Sequence, residues 1–417
     1  MKRLLIAGTV GNVLEWYDFS LFGYFAPVLA RLFFPHDDQL ASLIDTFGIF
    51  AAGFLMRPIG AALFGSIGDR LGRRMALMLS VLVMAIPTCL IGLLPTYAQV
   101  GLAAPIALTV LRLLQGLSVG GEYTGSIAYL VESASPLQRG YIGSWTPFSA
   151  TLGTILGSAV GALATSAISE ESLYSWGWRL PFILGLLVGG VGLYLRSGIA
   201  ESRGFEEVKV SGALAVAPVR DVVITRWAEL LRAIGMNGLN SAAFYIVFVY
   251  LTTYLTTVLT FPMGTSLTIN TLSLIVLTLI LPVTGALSDR VGRKPLLMGS
   301  AVGLAVLSYP LFWLISHETV VAVFTAQLAF TALLALYFGP MPAVMTELFP
   351  TRERCSGISI SYNVAAAIFG GSAPLIATYL MQVTGTASAP AIYIVLSSIV
   401  ALLAMFKIPE TAFAPLR

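Results

Sequence analysis

Charge is scarce in this 417-residue chain: Asp, Glu, Lys and Arg make up 10% of it, where a soluble protein carries about 25%. Hydrophobic residues make up 57%. That is more apolar surface than a soluble core absorbs, so the composition excludes an ordinary soluble domain. The net charge of +3 is too small to suggest a nucleic-acid partner. Cysteine is nearly absent, and Cys89 and Cys355 lie in different halves, which excludes a disulfide framework and zinc-ligand spacing. His36 and His317 fall in predicted outer loops without metal-ligand company, so no metal site is expected. No GxxxxGK[ST] phosphate loop, buried histidine or Cys–His pairing is found. The chain is therefore not expected to be an enzyme, to carry a cofactor or to bind ATP.

Long apolar runs are what the sequence does have. A spanning helix needs about 20 mostly apolar residues, and twelve candidates appear: 5–33, 42–67, 75–95, 101–129, 140–168, 178–197, 226–259, 266–287, 296–315, 319–343, 356–382 and 387–406. Lys2 and Arg3 before the first run resemble a signal peptide. However, Glu15 and Asp18 interrupt that run, it continues to Phe34, and no small-residue cleavage site follows; it reads as the first span. The charged stretch 198–225 separates two halves, 1–197 and 226–417. With both termini inside, all 23 basic residues except Arg31, Arg57, Arg112 and Arg179 fall on the cytoplasmic side, as the positive-inside rule requires.

The halves repeat. Gly65–Ser66–Ile67–Gly68–Asp69–Arg70–Leu71–Gly72–Arg73–Arg74 returns 220 residues later as Gly285–Ala286–Leu287–Ser288–Asp289–Arg290–Val291–Gly292–Arg293–Lys294. Glu132 precedes Arg139 by seven residues, and Glu347 precedes Arg354 by seven. Both pairs fall after the fourth helix of their half. A duplicated membrane bundle with charged residues between its helices is the architecture of a secondary transporter.

At these residues the chain resembles the major facilitator superfamily, whose loop motif joins helices 2 and 3, and 8 and 9. The strings GNVLEWYDF (11–19), GFLMRPIGAALFG (53–65), RLLQGLSVGGEYTGS (112–126) and WGWRLPF (176–182) resemble its metabolite:proton symporter family. SVGGEYTGS is most similar to the proline/betaine transporters. The resemblance implies an all-α membrane fold, twelve helices in two pseudo-symmetric six-helix bundles. It implies proton-coupled uptake of a small solute; substrates in that family include proline and betaines, citrate, 2-oxoglutarate and shikimate. Osmosensing members carry a long coiled-coil tail. This chain ends soon after its last predicted helix, so osmotic gating of that type is not expected.

An ionised side chain at mid-bilayer costs about 2.5–3.5 kcal/mol, yet five are predicted deep in the first half: Glu15, Asp18, Arg57, Arg112 and Glu122. Glu15 and Asp18 are three apart on a helix and share a face that Phe22 continues. Arg112, Gln115, Val119 and Glu122 share a sector of about 80° on the fourth helix. One of two neighbouring carboxylates holds its proton more tightly; Asp18 is the favoured proton carrier, with Glu15 and Glu122 as further coupling candidates. Arg57 and Arg112 are candidates for a substrate carboxylate, with Gln115 beside them. Arg57 equally suits a structural ion pair, and Glu122 a gating network. The second half offers neutral lining: Asn237, Asn240, Tyr245, Gln327, Tyr362 and Asn363.

For a substrate cation, Trp16, Tyr17, Tyr24 and Trp145 are candidate aromatic partners; Trp145 is favoured, lying inside the fifth helix with Ser149 on its face, while Trp16 is rotated about 100° from Glu15. Asp69, Arg70, Arg73, Asp289, Arg290 and Arg293 of the loop motifs, with Glu132, Arg139, Glu347 and Arg354, are expected to form gating contacts that hold one access state and break in the other. Gly153, Gly157 and Gly161 form a small-residue packing stripe. Drug-exporting antiporters carry a Gly-Pro element there, and 151–162 has no proline. The reading is a proton-coupled importer of a small organic solute, a zwitterion such as proline or betaine, in the bacterial inner membrane. It is expected to work as a monomer, with lipid, protons and solute as its partners. A di- or tricarboxylate symporter, an efflux antiporter and a non-transporting solute sensor are the alternatives.

Overall fold

The computed structural model describes residues 2–61, 63–64, 73–118, 120–197, 218–350 and 353–416. Every regular element among them is helical. Lipid offers no hydrogen-bond partners, so a spanning backbone must satisfy its amides within the segment, as a helix does.

The first bundle holds α1 (Lys2–Tyr24, continued by Ala26–Phe33), α2 (Gln39–Ala61), α3 (Arg73–Leu93), α4 (Ala103–Ser118, then Glu122–Glu132), α5 (Arg139–Ala167) and α6 (Arg179–Ser197). The second holds α7 (Trp227–Thr257), α8 (Met263–Val291), α9 (Arg293–Ile315), α10 (Val320–Leu348), α11 (Arg354–Thr384) and α12 (Pro390–Phe406). A short helix, Pro218–Thr225, leads into α7. The rest of the expected linker, 198–217, lies outside the described residues. Outward faces carry apolar side chains such as Ile106, Leu187, Leu279 and Leu403, as a lipid contact requires.

Several expected spans depart from a regular helix in two ways. The fourth breaks at Gly120–Gly121. A Cβ on Gly120 would lie 2.5 Å from the Ala61 amide nitrogen, so the bare backbone of this break lets α4 lie against α2. Glu122 therefore opens a separate segment, and the sector drawn from Arg112 through Glu122 does not exist as one helical face. The second departure is a π-turn, one extra residue per turn, in α7 at Ile246–Tyr250 and again in α11 at Ala366–Gly371. Such turns shift the helix face and free a carbonyl. The Gln327 amide donates to the Val247 carbonyl at 3.2 Å, and the Tyr393 hydroxyl to that of Phe369 at 3.0 Å.

Glycine sets the closest helix approaches. A Cβ on Gly116 would run into the Gly53 carbonyl, one on Gly60 into that of Leu117, and one on Gly153 into that of Val13. Within the stripe on α5, Gly153 and Gly157 face α1, while Gly161 faces Leu267 of α8 across the bundle boundary. Without a hydrophobic driving force between helices in lipid, such close packing carries much of the association energy. Replacing Gly116 by Val forces backbone against side chain and is predicted to cost about 3 kcal/mol, the upper range for overpacking. A thermal melt in detergent measures it. Gly121→Ala, with nothing within 4 Å of the added carbon, should leave the melt unchanged.

Candidate functional site

The acids of α1 do not share one environment. Three residues turn a helix by about 300°, which leaves Glu15 and Asp18 some 60° apart, and their side chains reach different neighbours. Glu15 turns to α2 and the bundle boundary, where its Oε1 lies 3.7 Å from Nη2 of Arg57. Both side chains are buried. The Arg57 guanidinium carbon sits 5.2 Å from the Phe54 ring, 5.6 Å from Phe19 and 5.6 Å from Tyr362 of the opposite bundle. A buried charge needs a partner or a polarisable face, and Arg57 has both.

Asp18 turns inward among α3, α4 and α6. Its Oδ1 is buried without a hydrogen-bond partner. A Cβ on Gly185 of α6 would come within 3.1 Å of that oxygen, so the glycine leaves the carboxylate its space. Thr88 of α3 faces the same carboxylate; its hydroxyl donates to the Met84 carbonyl at 2.9 Å. Gln115 of α4 donates to Thr88 at 2.6 Å and accepts from Arg112 Nη1 at 3.1 Å. Arg112 is fully buried in a three-ring cage, its guanidinium carbon 4.1 Å from Phe19, 4.6 Å from Phe22 and 4.9 Å from Phe50. Its Nε and Nη2 have no hydrogen-bond partner.

Between the bundles lies an aromatic cluster. Trp16 stacks on Tyr245 with ring centres 6.3 Å apart, and stands 5.9 Å from Tyr123 and 5.4 Å from Phe244. Tyr123 stacks on Tyr362 at 4.7 Å. Trp16 Nε1 and the Tyr245 hydroxyl are buried without partners. Trp145, the aromatic residue favoured from sequence, packs instead against Tyr141 and Phe148 on its own helix. The 100° rotation that argued against Trp16 is what turns it toward the opposite bundle.

The remaining expected lining residues divide. Tyr245 and Tyr362 join the cluster. Asn363 binds the Gly120 carbonyl, freed by the α4 break, at 2.7 Å across the boundary. Asn237 is tied within its own bundle to the Ala233 carbonyl and Met345 sulfur. Asn240 is half-buried on α7. Gln327 binds the α7 π-turn and the Asn270 side chain. Asp69 and Arg70 lie outside the described residues, as do the side chains of Arg73 and Glu122.

At the motif-bearing end the two halves interlock in a crossed pattern. Arg354 Nη1 meets Glu132 Oε1 at 2.7 Å, and Arg139 Nη1 meets Glu347 Oε1 at 3.7 Å. Each landmark pair thus bonds with its copy in the other half. Asp289 accepts from the amides of Gly140 and Tyr141 at 2.8 and 2.9 Å, at the N-terminus of α5, where a helix dipole favours an anion. Arg293 bridges Asp289 at 2.8 Å and Glu347 at 3.2 Å. Arg290 is exposed.

Sequence reading missed the tail. Glu410 accepts from the amides of Arg293 and Lys294 at 2.9 and 3.0 Å, Thr411 donates to Glu347 at 2.7 Å, and the Ala414 carbonyl accepts from Arg139 at 2.9 Å. The opposite end holds a vestibule of about 870 Å³, lined by residues of both halves including Arg31, Leu43, Glu170, Tyr174, Thr256 and Pro262. Beneath it, Val249 packs on Gly23 and Tyr250 on Phe47. The motif end is shut, and the vestibule stops above the ionic layer.

Two interlocked bundles, a site buried between them and a vestibule at one end define a secondary transporter rather than an enzyme. The sequence agrees: a family described as "Sugar (and other) transporter" matches residues 4–211, and one described as "Major Facilitator Superfamily" matches 233–417. The glycine betaine/proline/ectoine/pipecolic acid transporter OusA of Dickeya dadantii is 33% identical over all of this chain and 85% of its own. The citrate-proton symporter of Klebsiella pneumoniae is 35% identical over 95% of this chain and 89% of its own. The xylose transporter XylE of E. coli, in a partially occluded inward-open conformation, superposes with a TM-score of 0.78 at 19% identity over 99% of both chains. This chain belongs to the major facilitator superfamily and is a multi-pass membrane protein.

Glu132→Gln weakens one crossed pair. Its carboxylate is about two-fifths exposed, so the change should cost the latched state about 1 kcal/mol, a fivefold shift in population. Spin labels on Ser135 and Cys355 in a variant lacking Cys89 read it as a larger fraction of long distances.

Proposed function

We propose that this chain imports a small zwitterion of the proline or betaine type together with a proton. It would reside in the bacterial inner membrane as a monomer, with both termini cytoplasmic and the halves 1–197 and 226–417 as the rocking units. The observation that carries the reading is the Glu15–Arg57 pair, buried at the bundle boundary and touching a ring of each half. A substrate carboxylate can replace Glu15 on Arg57, whose guanidinium fork suits bidentate recognition. The substrate's ammonium then meets Glu15 and the faces of Trp16, Tyr123, Tyr245 and Tyr362, a setting that attracts onium groups.

The proton belongs to Asp18. Its unpartnered oxygen and the incompletely bonded Arg112 attract one another through space, without a direct ion-pair contact. Protonating Asp18 removes the acid's charge from a site closed to water, and deprotonation restores it. That switch supplies the differential energy that a coupled alternation between two access states needs. With the motif end taken as cytoplasmic, the vestibule closed off from the ionic layer reads as an outward-facing occluded state, whose crossed ion pairs must break for release inward.

The second reading, a di- or tricarboxylate symporter, is favoured by the citrate-proton relative and by the two buried arginines. Glu15 and Asp18 stand against it, since each lies beside one of those arginines.

Proteoliposomes loaded with buffer separate the readings. Labelled proline or betaine should accumulate under an inward proton gradient and only equilibrate without it, while citrate and 2-oxoglutarate should not accumulate. Accumulation of citrate alone would replace the first reading by the second, and flux indifferent to the gradient would remove proton coupling. Asp18→Asn should abolish accumulation while sparing exchange of solute across the bilayer. Arg57→Lys, which keeps charge but loses the planar fork, should raise KM about tenfold; an unchanged KM would remove the carboxylate contact.

A further inference from the structure

Among the described residues, one ring touches both buried arginines. The Phe19 ring lies 4.1 Å from the Arg112 guanidinium carbon and 5.6 Å from that of Arg57. Phe54 and Tyr362 touch Arg57 alone, while Phe22 and Phe50 touch Arg112 alone. Phe19 is 3% exposed and wedged edge-on against Phe54 at 4.7 Å. On α1 it sits one turn after Glu15 and next to Asp18. It therefore occupies the space where the ion pair at the bundle boundary and the pair inside the first bundle come nearest.

The two guanidiniums lie within about 10 Å of each other, a distance that 0.1 M salt would screen in water but that a dry interior does not. Two acids and two arginines that close can pair in more than one way. Glu15 and Arg57 are in contact, while Asp18 and Arg112 attract one another through space; a crossed arrangement would also set each acid with an arginine. The Phe19 ring stands between the two guanidiniums, with the Tyr245 hydroxyl within electrostatic reach of both. The Phe19 ring admits no water and offers no proton-accepting atom, and each of its faces attracts a guanidinium.

We propose that Phe19 is the partition that keeps the substrate-side pair and the proton-side pair from exchanging partners, and so sets how tightly solute flux is tied to proton flux. It is a positioning residue: it acts through Arg57 and Arg112 rather than on the solute. The inference rests on the proton-coupled reading given above.

Phe19→Ala opens the partition. Proteoliposomes carrying an entrapped pH-sensitive dye report proton entry, and labelled betaine reports solute. The expected result is exchange within about twofold of wild type, gradient-driven accumulation reduced about tenfold, and proton entry without solute. Loss of exchange and accumulation in parallel, without a leak, marks a merely structural ring and overturns the proposal, as does accumulation at the wild-type level. Phe33→Leu, which removes another buried ring of α1 packed on Trp178, should leave coupling intact. Should Phe19→Ala fail to fold, Phe19→Leu decides, a leak supporting the partition and tight coupling refuting it. Wild-type protein that accumulates nothing under a gradient would instead sink the parent reading of proton coupling.

Discussion

Ionic side chains held away from water are the constraint on which the rest of the structure depends. A buried charge must find a counter-charge, hydrogen bonds or a polarisable face, or the fold loses several kcal/mol. Glu15 and Arg57 find one another; Arg112 finds three phenylalanines and Gln115; Asp18 finds a pocket left by a glycine and bordered by Thr88. The rings that α1, α2 and α11 turn toward Arg57 and Arg112 meet this need. The proposed division of the first bundle, with Glu15–Arg57 at the boundary for solute and Asp18 near Arg112 inside for the proton, builds on the same need.

The same electrostatics operates in a different setting at the motif end. There the charges lie where helices begin, and the helix N-termini help to hold them: Asp289 on the amides of α5, Glu410 on those of α9. Duplication explains the crossed pairing. Two halves built on one plan present the same acid and arginine at equivalent places, and a two-fold arrangement sets each acid opposite the other half's arginine. Under the proposed rocking of the bundles, such contacts would form and break together, which would make the latch a two-state element. The tail adds Thr411 and the Ala414 carbonyl to that element.

Much of the fold was legible in the sequence because apolar length and repeated motifs are one-dimensional signals. The spans around α7, α8 and α9 were placed within a few residues. The α4 break was missed because glycine in a membrane helix is ordinarily tolerated, and nothing local to SVGGEY says that Ala61 of another helix will crowd Gly120. The candidate site could be read from the sequence as a list of residues but not as a geometry. Glu15 and Asp18 were recognised as deep, yet a difference in direction of about 60° sends Glu15 to Arg57 and Asp18 toward Thr88 and Gly185. Trp16 was set aside on helical rotation, which gives its bearing from Glu15 but not which neighbour stands there. Phe19 and Tyr123, adjacent to the quoted acids, carried a signal that was available: rings beside a buried arginine are its cheapest solvation.

The central claim is that Asp18 gains and loses a proton as solute binds. Infrared difference spectroscopy of the purified protein, recorded with and without betaine through a pH titration, observes that proton directly. The account predicts a carboxylic-acid C=O band that changes with solute in the wild type and is missing from Asp18→Asn. An identical difference spectrum in both proteins would contradict it.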